Sequence, residues 1–254
     1  MPMPTKRPKH TKHRQKTAHS RTLLIYGRHA VAAAVSNSAR PIIRLLATEQ
    51  ALKSFTPPAD LRIEMHAAEA LDRMVPDQTP HQGLILEAKA LPPIDLQHWL
   101  DANAETKRLL ALDQVTDPRN LGAILRSAAA FDVAAVILPE RHSAELNGAC
   151  ARAAAGALDL VPIIQVTNLA RSLAAVKEAG FWTVGLDGNA EAPLNSIDLS
   201  GRTCVVLGAE DTGLRQLTQS HCDHLAALPI HDRIESLNVA VAAGIALYCV
   251  SQAS

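Results

Sequence analysis

From residue 108 onward, short apolar segments alternate with segments that have a helical pattern. The apolar segments, such as Val205-Val206-Leu207, do not alternate between polar and apolar positions, which is typical of strands buried on both faces. Such strands form a parallel sheet whose faces are covered by helices. The sequence therefore predicts an α/β domain. Its expected strands are 109–112, 134–138, 161–166, 181–186, 205–207 and 225–228, and its expected helices lie near 121–131, 143–155, 168–179, 212–219 and 237–251.

A smaller α/β unit precedes this domain, and a join that opens with two prolines separates the two. In the smaller unit we expect helices at 28–35 and 67–74 and strands at 42–46 and 83–88. Pro92 and Pro93 disfavour helix and stiffen the chain, and charged residues follow up to Lys107. We therefore predict a tail over 1–21, a small α/β domain over 22–90, a linker over 91–107 and the larger domain over 108–254.

The formal net charge of zero hides an uneven distribution of charge. Residues 1–21 hold seven of the 25 Lys and Arg residues and no Asp or Glu, so the rest of the chain has a net charge of −7. A basic segment that contains proline and lacks apolar periodicity is typical of a disordered arm, and RNA is its natural partner. A solubilising arm and a mitochondrial-type presequence are the alternatives, although the segment lacks amphipathic leucines.

The composition favours a cytoplasmic protein without membrane segments or a bound metal. No apolar run approaches the roughly 20 residues that span a bilayer, and the basic N-terminus has no apolar core of a secretory signal. The four cysteines are scattered and form no Cys-x-x-Cys pair, which is typical of free thiols in a reducing compartment. His221-Cys222-Asp223-His224 matches no standard zinc spacing.

Several polar residues stand where loops give way to helices. Ser236 and Asn238 begin a small-residue helix after a polar loop. The free backbone N–H groups at such a junction suit ligand binding. The alternative is that these side chains only cap the helix. Asn120 follows Pro118, where it caps a helix or faces a ligand. Arg126 is a charge in an otherwise small and apolar stretch, so we expect it in an ion pair or at an open site. No Gly-x-Gly-x-x-Gly turn follows the first strand of the domain, which disfavours dinucleotide binding.

Three segments of the larger domain together resemble, in order, the signature motifs of the SpoU/TrmH family of RNA ribose 2'-O-methyltransferases. They are Asp113-Gln114-Val115-Thr116-Asp117-Pro118-Arg119-Asn120-Leu121-Gly122-Ala123-Ile124-Leu125-Arg126-Ser127, Val205-Val206-Leu207-Gly208-Ala209-Glu210-Asp211-Thr212-Gly213-Leu214-Arg215 and Glu235-Ser236-Leu237-Asn238-Val239-Ala240-Val241-Ala242-Ala243-Gly244. The resemblance implies a C-terminal methyltransferase domain of the SPOUT superfamily with a deep trefoil knot. It also implies S-adenosylmethionine as the cofactor.

Two shorter motifs in the small domain carry a second resemblance. Tyr26-Gly27-x-His29-Ala30-Val31 and His81-Gln82-Gly83 resemble the L30e-like RNA-binding domain that precedes the methyltransferase domain in many family members. The alternative is that Gly27 and Gly83 only form turns.

The family resemblance implies roles for five polar residues. Arg126 and Asn120 belong to the active site, where Arg126 orients the ribose and stabilises the developing alkoxide. Some mechanisms in the family make this arginine the proton acceptor, but a guanidinium pKa of roughly 12.5–13.8 favours the electrostatic role. Glu210 holds Arg126 or accepts hydrogen bonds from the substrate. Ser236 and Asn238 position the ribose or the cofactor.

The resemblance also implies a cofactor pocket lined by Leu207, Gly208, Leu228, Ile230 and Leu237. Glycine at position 208 permits close approach to a ligand, whereas plain core packing is the alternative for the leucines. One departure from the family pattern lies in the second motif, where Asp211 replaces the usual glycine.

The target and the assembly are also implied by resemblance. The two-domain layout and Arg141-x-Ser143-Ala144-x-Leu146-Asn147 resemble family members that methylate a guanosine ribose in 23S ribosomal RNA. A tRNA ribose methyltransferase and a non-catalytic RNA-binding factor of ribosome assembly are the alternatives. Family members are dimers with active sites at the interface, so we expect a homodimer.

Overall fold

The computed structural model describes residues 22–76 and 79–253, and the predicted tail over 1–21 lies outside the described residues. Two separate sheets form, one in each predicted α/β unit. No helix in the described part of the chain has the length and apolar character needed to cross a bilayer. The same residues include no group of His, Cys, Asp and Glu side chains arranged to hold a metal ion.

The small domain contains a four-stranded mixed sheet with the strand order β1-β4-β2-β3. Its elements are β1 (Thr22–Tyr26), α1 (Arg28–Ser36), β2 (Ile42–Ala47), α2 (Glu49–Leu52), β3 (Ile63–Met65), α3 (Ala68–Asp72) and β4 (Leu84–Lys89). Strand β4 lies antiparallel to both β1 and β2, and β3 runs parallel to β2. Both predicted strands and both predicted helices are present, whereas α2 and β3 are too short to leave a periodic signal.

The two short motifs of the small domain meet in one turn. The helix α1 starts after Gly27, which has no side chain to cap it, and the Arg28 backbone N–H instead donates to Oε1 of Gln82 at 2.8 Å. Nδ1 of His81 accepts from the Gly83 backbone N–H at 3.0 Å. Gly27 and Gly83 have φ angles of 91° and 73°, so both turns need glycine for its conformational freedom.

The large domain contains a six-stranded sheet in which all pairs are parallel, as the sequence predicted, with the order β10-β8-β9-β5-β6-β7. Its elements are α4 (Leu96–Ala102), β5 (Arg108–Leu112), α5 (Pro118–Ala130), β6 (Ala135–Pro139), α6 (Gly148–Ala153), α7 (Ala157–Leu160), β7 (Ile163–Val166), α8 (Leu169–Glu178), β8 (Trp182–Leu186), a short 3-10 turn (Leu194–Ser196), β9 (Thr203–Leu207), α9 (Gln216–Gln219), β10 (His224–Ala226) and α10 (Val239–Gln252).

Three predicted segments differ in the structure. The expected helix 143–155 is present only as α6, because Asn147 caps the helix at its start. Ala155 and Gly156, with φ angles of 50° and 104°, then separate α6 from α7. A Cβ at Gly156 would lie 2.9 Å from the Cβ of Ala33, so this break lets α7 approach α1. The expected helix 212–219 is reduced to α9, because the residues before it form a tight turn. The predicted linker contains α4, which buries Trp99 and Leu100 against the large sheet.

Apolar layers cover both faces of the large sheet. Along β5, Leu110 and Leu112 pack with α5, α6, α7 and α10, while Leu109 and Ala111 pack with α4 and α8. The first of these layers continues into the small domain through α1. The helices therefore leave the carboxyl ends of the parallel strands open, which is where open α/β sheets bind ligands.

A buried ion pair joins the two domains. Arg40, in the loop after α1, donates from Nε to Oδ1 of Asp159 in α7 at 2.7 Å, and each side chain is only 2% exposed. Nδ2 of Asn37 donates to the same carboxylate oxygen at 3.1 Å, and Nη1 of Arg40 donates to the Lys89 carbonyl at 3.1 Å. These contacts fix the small domain against one end of the large domain.

Candidate active site

The three motif segments converge at the carboxyl edge of the large sheet. Asn120 lies in the first turn of α5, Glu210 in the loop after β9, and Asn238 immediately before α10. Nδ2 of Asn120 donates to Oε2 of Glu210 at 3.1 Å. Nδ2 of Asn238 donates to Oε1 of Glu210 at 3.1 Å and to Oδ1 of Asn120 at 3.0 Å. We refer to these three residues as the Asn–Glu cluster.

Asn238 is oriented by the helix that it caps. Its Oδ1 accepts from the backbone N–H groups of Ala240 at 3.0 Å and Val241 at 3.4 Å. Because that oxygen is committed to the helix, the NH₂ group of Asn238 must face Glu210. The capping role and the proposed ligand-facing role of Asn238 are therefore compatible in one side chain.

Arg126 lies on the exposed side of α5, two turns after the start of the helix. Its side chain makes no ion pair or hydrogen bond with any other residue in the described ranges. Of the two arrangements expected from the sequence, an ion pair or an open site, the geometry corresponds to the open site. Glu210 holds Asn120 and Asn238 rather than Arg126, so its carboxylate does not neutralise this arginine.

An apolar cavity opens beside the Asn–Glu cluster, over the ends of β8, β9 and β10. All five residues predicted to bind the cofactor line this cavity, and Glu210 and Ser236 stand in the same wall. Ile230 is 42% exposed, so an apolar side chain is left open to a ligand rather than packed in the core. The predicted lining residues are Leu207, Gly208, Leu228, Ile230 and Leu237.

Part of the cavity wall was missed by sequence reasoning. Leu186, the last residue of β8, and Asp187 and Gly188, which follow it, also line the cavity. Their only signal in the sequence is a polar residue and a glycine directly after a predicted strand. That signal gains meaning once β8 is known to lie next to both β9 and β10.

Gly208 is required by the loop itself as well as by the cavity. A Cβ at this position would lie 2.0 Å from the Gly213 carbonyl carbon and 2.2 Å from the Leu214 nitrogen. Ala209 and Gly213 exchange two backbone hydrogen bonds of 3.0 Å, and Gly213 has a φ of 64°. The exposed Asp211 is therefore accommodated at the tip of a closed turn that aims Glu210 at the two asparagines.

Asp113 stabilises the same loop through hydrogen bonds, and it was not predicted as a site residue. Its side chain is fully buried at the end of β5 and accepts from Nε of Arg215 at 2.8 Å and from Oγ1 of Thr218 at 2.6 Å. The Arg215 backbone N–H donates to the same carboxylate at 3.2 Å. A buried carboxylate needs such partners, and these contacts tie the loop after β9 to the end of β5.

Asp117 fixes the start of α5. Its side chain accepts from the Arg119 backbone N–H at 2.8 Å and pairs with the Arg119 guanidinium at 3.1 Å. Hydrogen bonds from the Arg119 side chain and backbone hold the pKa of the Asp117 carboxyl below its usual range. The ionised cap favours the helix N-terminus and so fixes the turn that presents Asn120.

Comparison with known families agrees with this geometry. The model of the SpoU rRNA Methylase family matches residues 107–248. The chain belongs to the SpoU methyltransferase family. A second family model, described as RNA 2'-O ribose methyltransferase substrate binding, matches residues 24–94. The two matches cover the large and the small sheet, respectively, and the resemblance of the three motifs to the SpoU/TrmH family is confirmed.

Curated SpoU relatives resemble the chain over most of its length. The 23S rRNA (guanosine-2'-O-)-methyltransferase RlmB of Pseudomonas aeruginosa is 38% identical over 234 residues, covering 88% of this chain and 94% of its own. The RlmB of Photorhabdus laumondii is 40% identical over 239 residues, covering 89% and 96%. The RlmB of Xanthomonas axonopodis is 46% identical over 183 residues, covering 71% and 73%.

Solved structures of the family have the same fold. The SpoU methyltransferase AviRb from Streptomyces viridochromogenes, in complex with AdoMet, aligns over 91% of this chain and 90% of its own with a TM-score of 0.74 at 22% identity. An AdoMet-bound rRNA methyltransferase from Sinorhizobium meliloti aligns over 91% and 87% with a TM-score of 0.76 at 23% identity. At these identities the likeness concerns the fold alone, and it confirms the α/β architecture predicted from the sequence.

Proposed function

We propose that this chain methylates the 2'-hydroxyl of a ribose in RNA, at a guanosine of 23S ribosomal RNA, with S-adenosylmethionine as the methyl donor. The observation that carries this proposal is the Asn–Glu cluster at the mouth of an apolar cavity, in a chain similar over most of its length to three RlmB enzymes. An enzyme function is favoured over a non-catalytic assembly factor because the Asn–Glu cluster lies beside the cavity and Arg126 has no partner among the described residues.

The cavity suits S-adenosylmethionine by its chemistry. Leu207, Leu228, Ile230 and Leu237 offer an apolar wall to an adenine ring, while Glu210 and Ser236 stand in the same lining. Such a combination of apolar walls and few polar groups is typical of cofactor sites. When bound, the cofactor supplies a methyl group activated by a positively charged sulfur.

The protein's own residues then act on the ribose. Asn120 and Asn238 are held in one orientation by Glu210, so they can position the ribose without reorganising. Arg126 orients the substrate and stabilises negative charge on the 2'-oxygen as its proton leaves, because an unpaired guanidinium keeps its full charge for the substrate. Ser236 contacts the ribose or the cofactor from the adjoining loop.

The same proposal includes a homodimer. Val241, Ile245 and Tyr248 are 51%, 41% and 53% exposed, and their spacing of four and three residues places them in one stripe on α10. The stripe follows directly after Asn238, so a second copy seated on it would lie beside the Asn–Glu cluster. Two-fold packing of this stripe against itself is the arrangement that we propose.

Complementation tests whether the active site is shared in that dimer. Arg126→Ala and Ile230→Trp should each inactivate the protein, the second by filling the cavity. If Arg126 acts beside the cofactor of the partner, mixed dimers of the two variants should recover part of the activity. Light scattering that shows a fully active monomer would contradict the dimer, and dimers that never complement would place a complete site in each chain.

Family membership also supports three further parts of the proposal. The large domain has the trefoil knot of its superfamily, the domain boundaries lie near residues 90 and 108, and the protein acts in the cytoplasm.

The basic segment 1–21 binds RNA through its seven Lys and Arg residues. Deleting it should weaken RNA binding and flatten its salt dependence, and an unchanged salt slope would exclude this role.

The experiment that tests the function is transfer of a labelled methyl group to unmodified 23S ribosomal RNA and to tRNA. A 2'-O-methyl group blocks alkaline cleavage of the adjoining phosphodiester, so a gap in the hydrolysis ladder reports both the ribose position and the nucleotide. We expect one protected guanosine in 23S ribosomal RNA. Labelling of tRNA alone would favour the tRNA enzyme, and labelling of neither RNA would favour the assembly factor.

A further inference from the structure

A second cavity lies at the same carboxyl edge of the large sheet, over the ends of β6 and β7. Arg141, His142 and Arg215 line it, together with Asn168, Leu169 and Leu217. It shares no lining residue with the apolar cavity described above. We call it the basic cavity, because the charged side chains in its wall are cationic.

The two cavities are linked by one loop. Residues 208–213 of the loop after β9 line the apolar cavity in part, and Arg215, Leu217 and Thr218 line the basic cavity. Only β5 separates β9 from β6 in the sheet, so their ends are about 10 Å apart at two strand spacings. A strand of RNA whose target ribose sits at the Asn–Glu cluster can therefore reach the basic cavity within a few nucleotides.

The arginines of the basic cavity differ in how they are held. Arg215 is fixed by the fully buried Asp113 through Nε at 2.8 Å and Nη2 at 2.7 Å, and its other guanidinium N–H groups have no partner among the described residues. Arg141 is exposed and makes no side-chain hydrogen bond or ion pair within the described ranges. One guanidinium is thus preorganised, and the other keeps its whole charge and all its donors for a ligand.

The local backbone points Arg141 and His142 into the same cavity. His142 has a φ of 60°, and the hydroxyl of Ser143 donates to the Pro139 carbonyl and closes the turn after β6. His142 also lacks a side-chain partner among the described residues. Nearby, Leu169 and Ala170 line the cavity at the start of α8, where backbone N–H groups have no acceptor within the helix. All of these groups donate hydrogen bonds to, or attract, an anion.

We infer that the basic cavity binds a backbone phosphate of the RNA next to the target nucleotide. This inference rests on the proposed function and adds a positioning site to it. Planar arginine donors suit the geometry of a phosphate. No carboxylate lines the cavity among the residues that the structure describes, and the Asp113 carboxylate that contacts Arg215 is compensated by this ion pair. The contact would fix the register of the strand and leave the reading of bases to other groups.

Arg141→Ala tests the inference without disturbing the described contacts of the fold. With unmodified 23S ribosomal RNA transcribed in vitro, we expect the KM for RNA to rise roughly tenfold, while the KM for S-adenosylmethionine stays unchanged. The slope of log K against log salt concentration for RNA binding should fall by about 0.7–0.9, the value for one phosphate contact. Arg171→Ala is the matched control, because it removes the same charge from α8 outside the cavity lining.

A conservative variant separates phosphate binding from base recognition. Arg141→Lys keeps the charge and, because lysine binds phosphate as a point charge, should retain most of the salt slope and part of the affinity. A contact with a base edge would instead leave the salt slope of Arg141→Ala unchanged. An unchanged salt slope for Arg141→Ala, an equal effect of Arg171→Ala, or full loss with Arg141→Lys would each overturn the inference. Methyl transfer by the wild type with no effect of Arg141→Ala would overturn this inference alone, whereas absence of any methyl transfer by the wild type would overturn the proposed function.

Discussion

Replacing Asp159 by alanine should destabilise the protein more than any single change at its surface. The carboxylate is 2% exposed and pairs with an equally buried Arg40 at 2.7 Å. Without it, the guanidinium keeps only the Lys89 carbonyl at 3.1 Å as a described partner. A buried charge that loses its partner costs about 3–5 kcal/mol. For a chain of this size, that loss corresponds to a fall in Tm of roughly 6–20 °C.

Differential scanning calorimetry and urea unfolding measure this loss, and two further variants define its cause. Arg40→Met combined with Asp159→Leu removes both charges and should recover most of the stability, because a buried ion pair replaced by apolar side chains is often neutral or stabilising. The surface pair of Arg62 and Glu64 provides the control, since Arg62 is 71% exposed and Arg62→Ala should leave Tm unchanged.

Two results would contradict this role of the buried charge pair. A loss below about 1 kcal/mol for Asp159→Ala would mean that water or a rearranged side chain replaces the carboxylate. A double variant no more stable than Asp159→Ala would mean that the contribution of Asp159 comes from packing rather than from charge.

Three other outcomes follow from the titratable and polar side chains. Burial opposes ionisation of Asp223, but hydrogen bonds from Lys177 and Thr183 outweigh burial and lower the pKa of the Asp223 carboxyl. The stability that the ionised carboxylate adds should therefore be present above about pH 4 and be lost as the pH falls through the lowered pKa. Acid unfolding of Asp223→Asn should depend less on pH than that of the wild type, and an identical profile would contradict this. Burial raises the pKa of the Cys150 thiol to about 12. Iodoacetamide near pH 8 should therefore leave Cys150 of the native protein unlabelled, as measured by mass spectrometry. Rapid labelling would contradict the packing of α6. Glu210→Gln replaces one acceptor of the Asn–Glu cluster by a donor, and we expect kcat to fall with little change in Tm; a large loss of Tm would instead make the cluster structural.

Sequence reasoning predicted the architecture well where the signal is local. Continuous apolar segments predicted every strand of the large sheet, and their number and parallel pairing are confirmed. The helix 143–155 was predicted to start five residues too early, because no local pattern marks Asn147 as the residue that caps it. The break at Ala155 and Gly156 follows from the approach of α1, a contact between segments more than 100 residues apart that no local pattern reports.

At the candidate site, too, the residues could be predicted from the sequence, whereas their contacts could not. Asn120, Glu210 and Asn238 were predicted from family motifs, but their mutual hydrogen bonds depend on three loops that meet only in the folded chain. Asp113 lies within a family motif, but its role could not be predicted because its partners Arg215 and Thr218 are over 100 residues away. The roles of the predicted site residues stay predictions until variants are assayed.

The turnover of Arg126→Ala under saturating RNA and S-adenosylmethionine tests the central claim most directly, namely that Arg126 stabilises the 2'-oxygen during methyl transfer. We expect kcat to fall by roughly 10²–10³, as for loss of one preorganised donor in a transition state, while calorimetry shows unchanged affinity for S-adenosylmethionine. Arg126→Lys keeps the charge and loses the planar donors, so its kcat should lie between those of the wild type and Arg126→Ala. Turnover near that of the wild type in Arg126→Ala, with normal RNA affinity, would contradict the account.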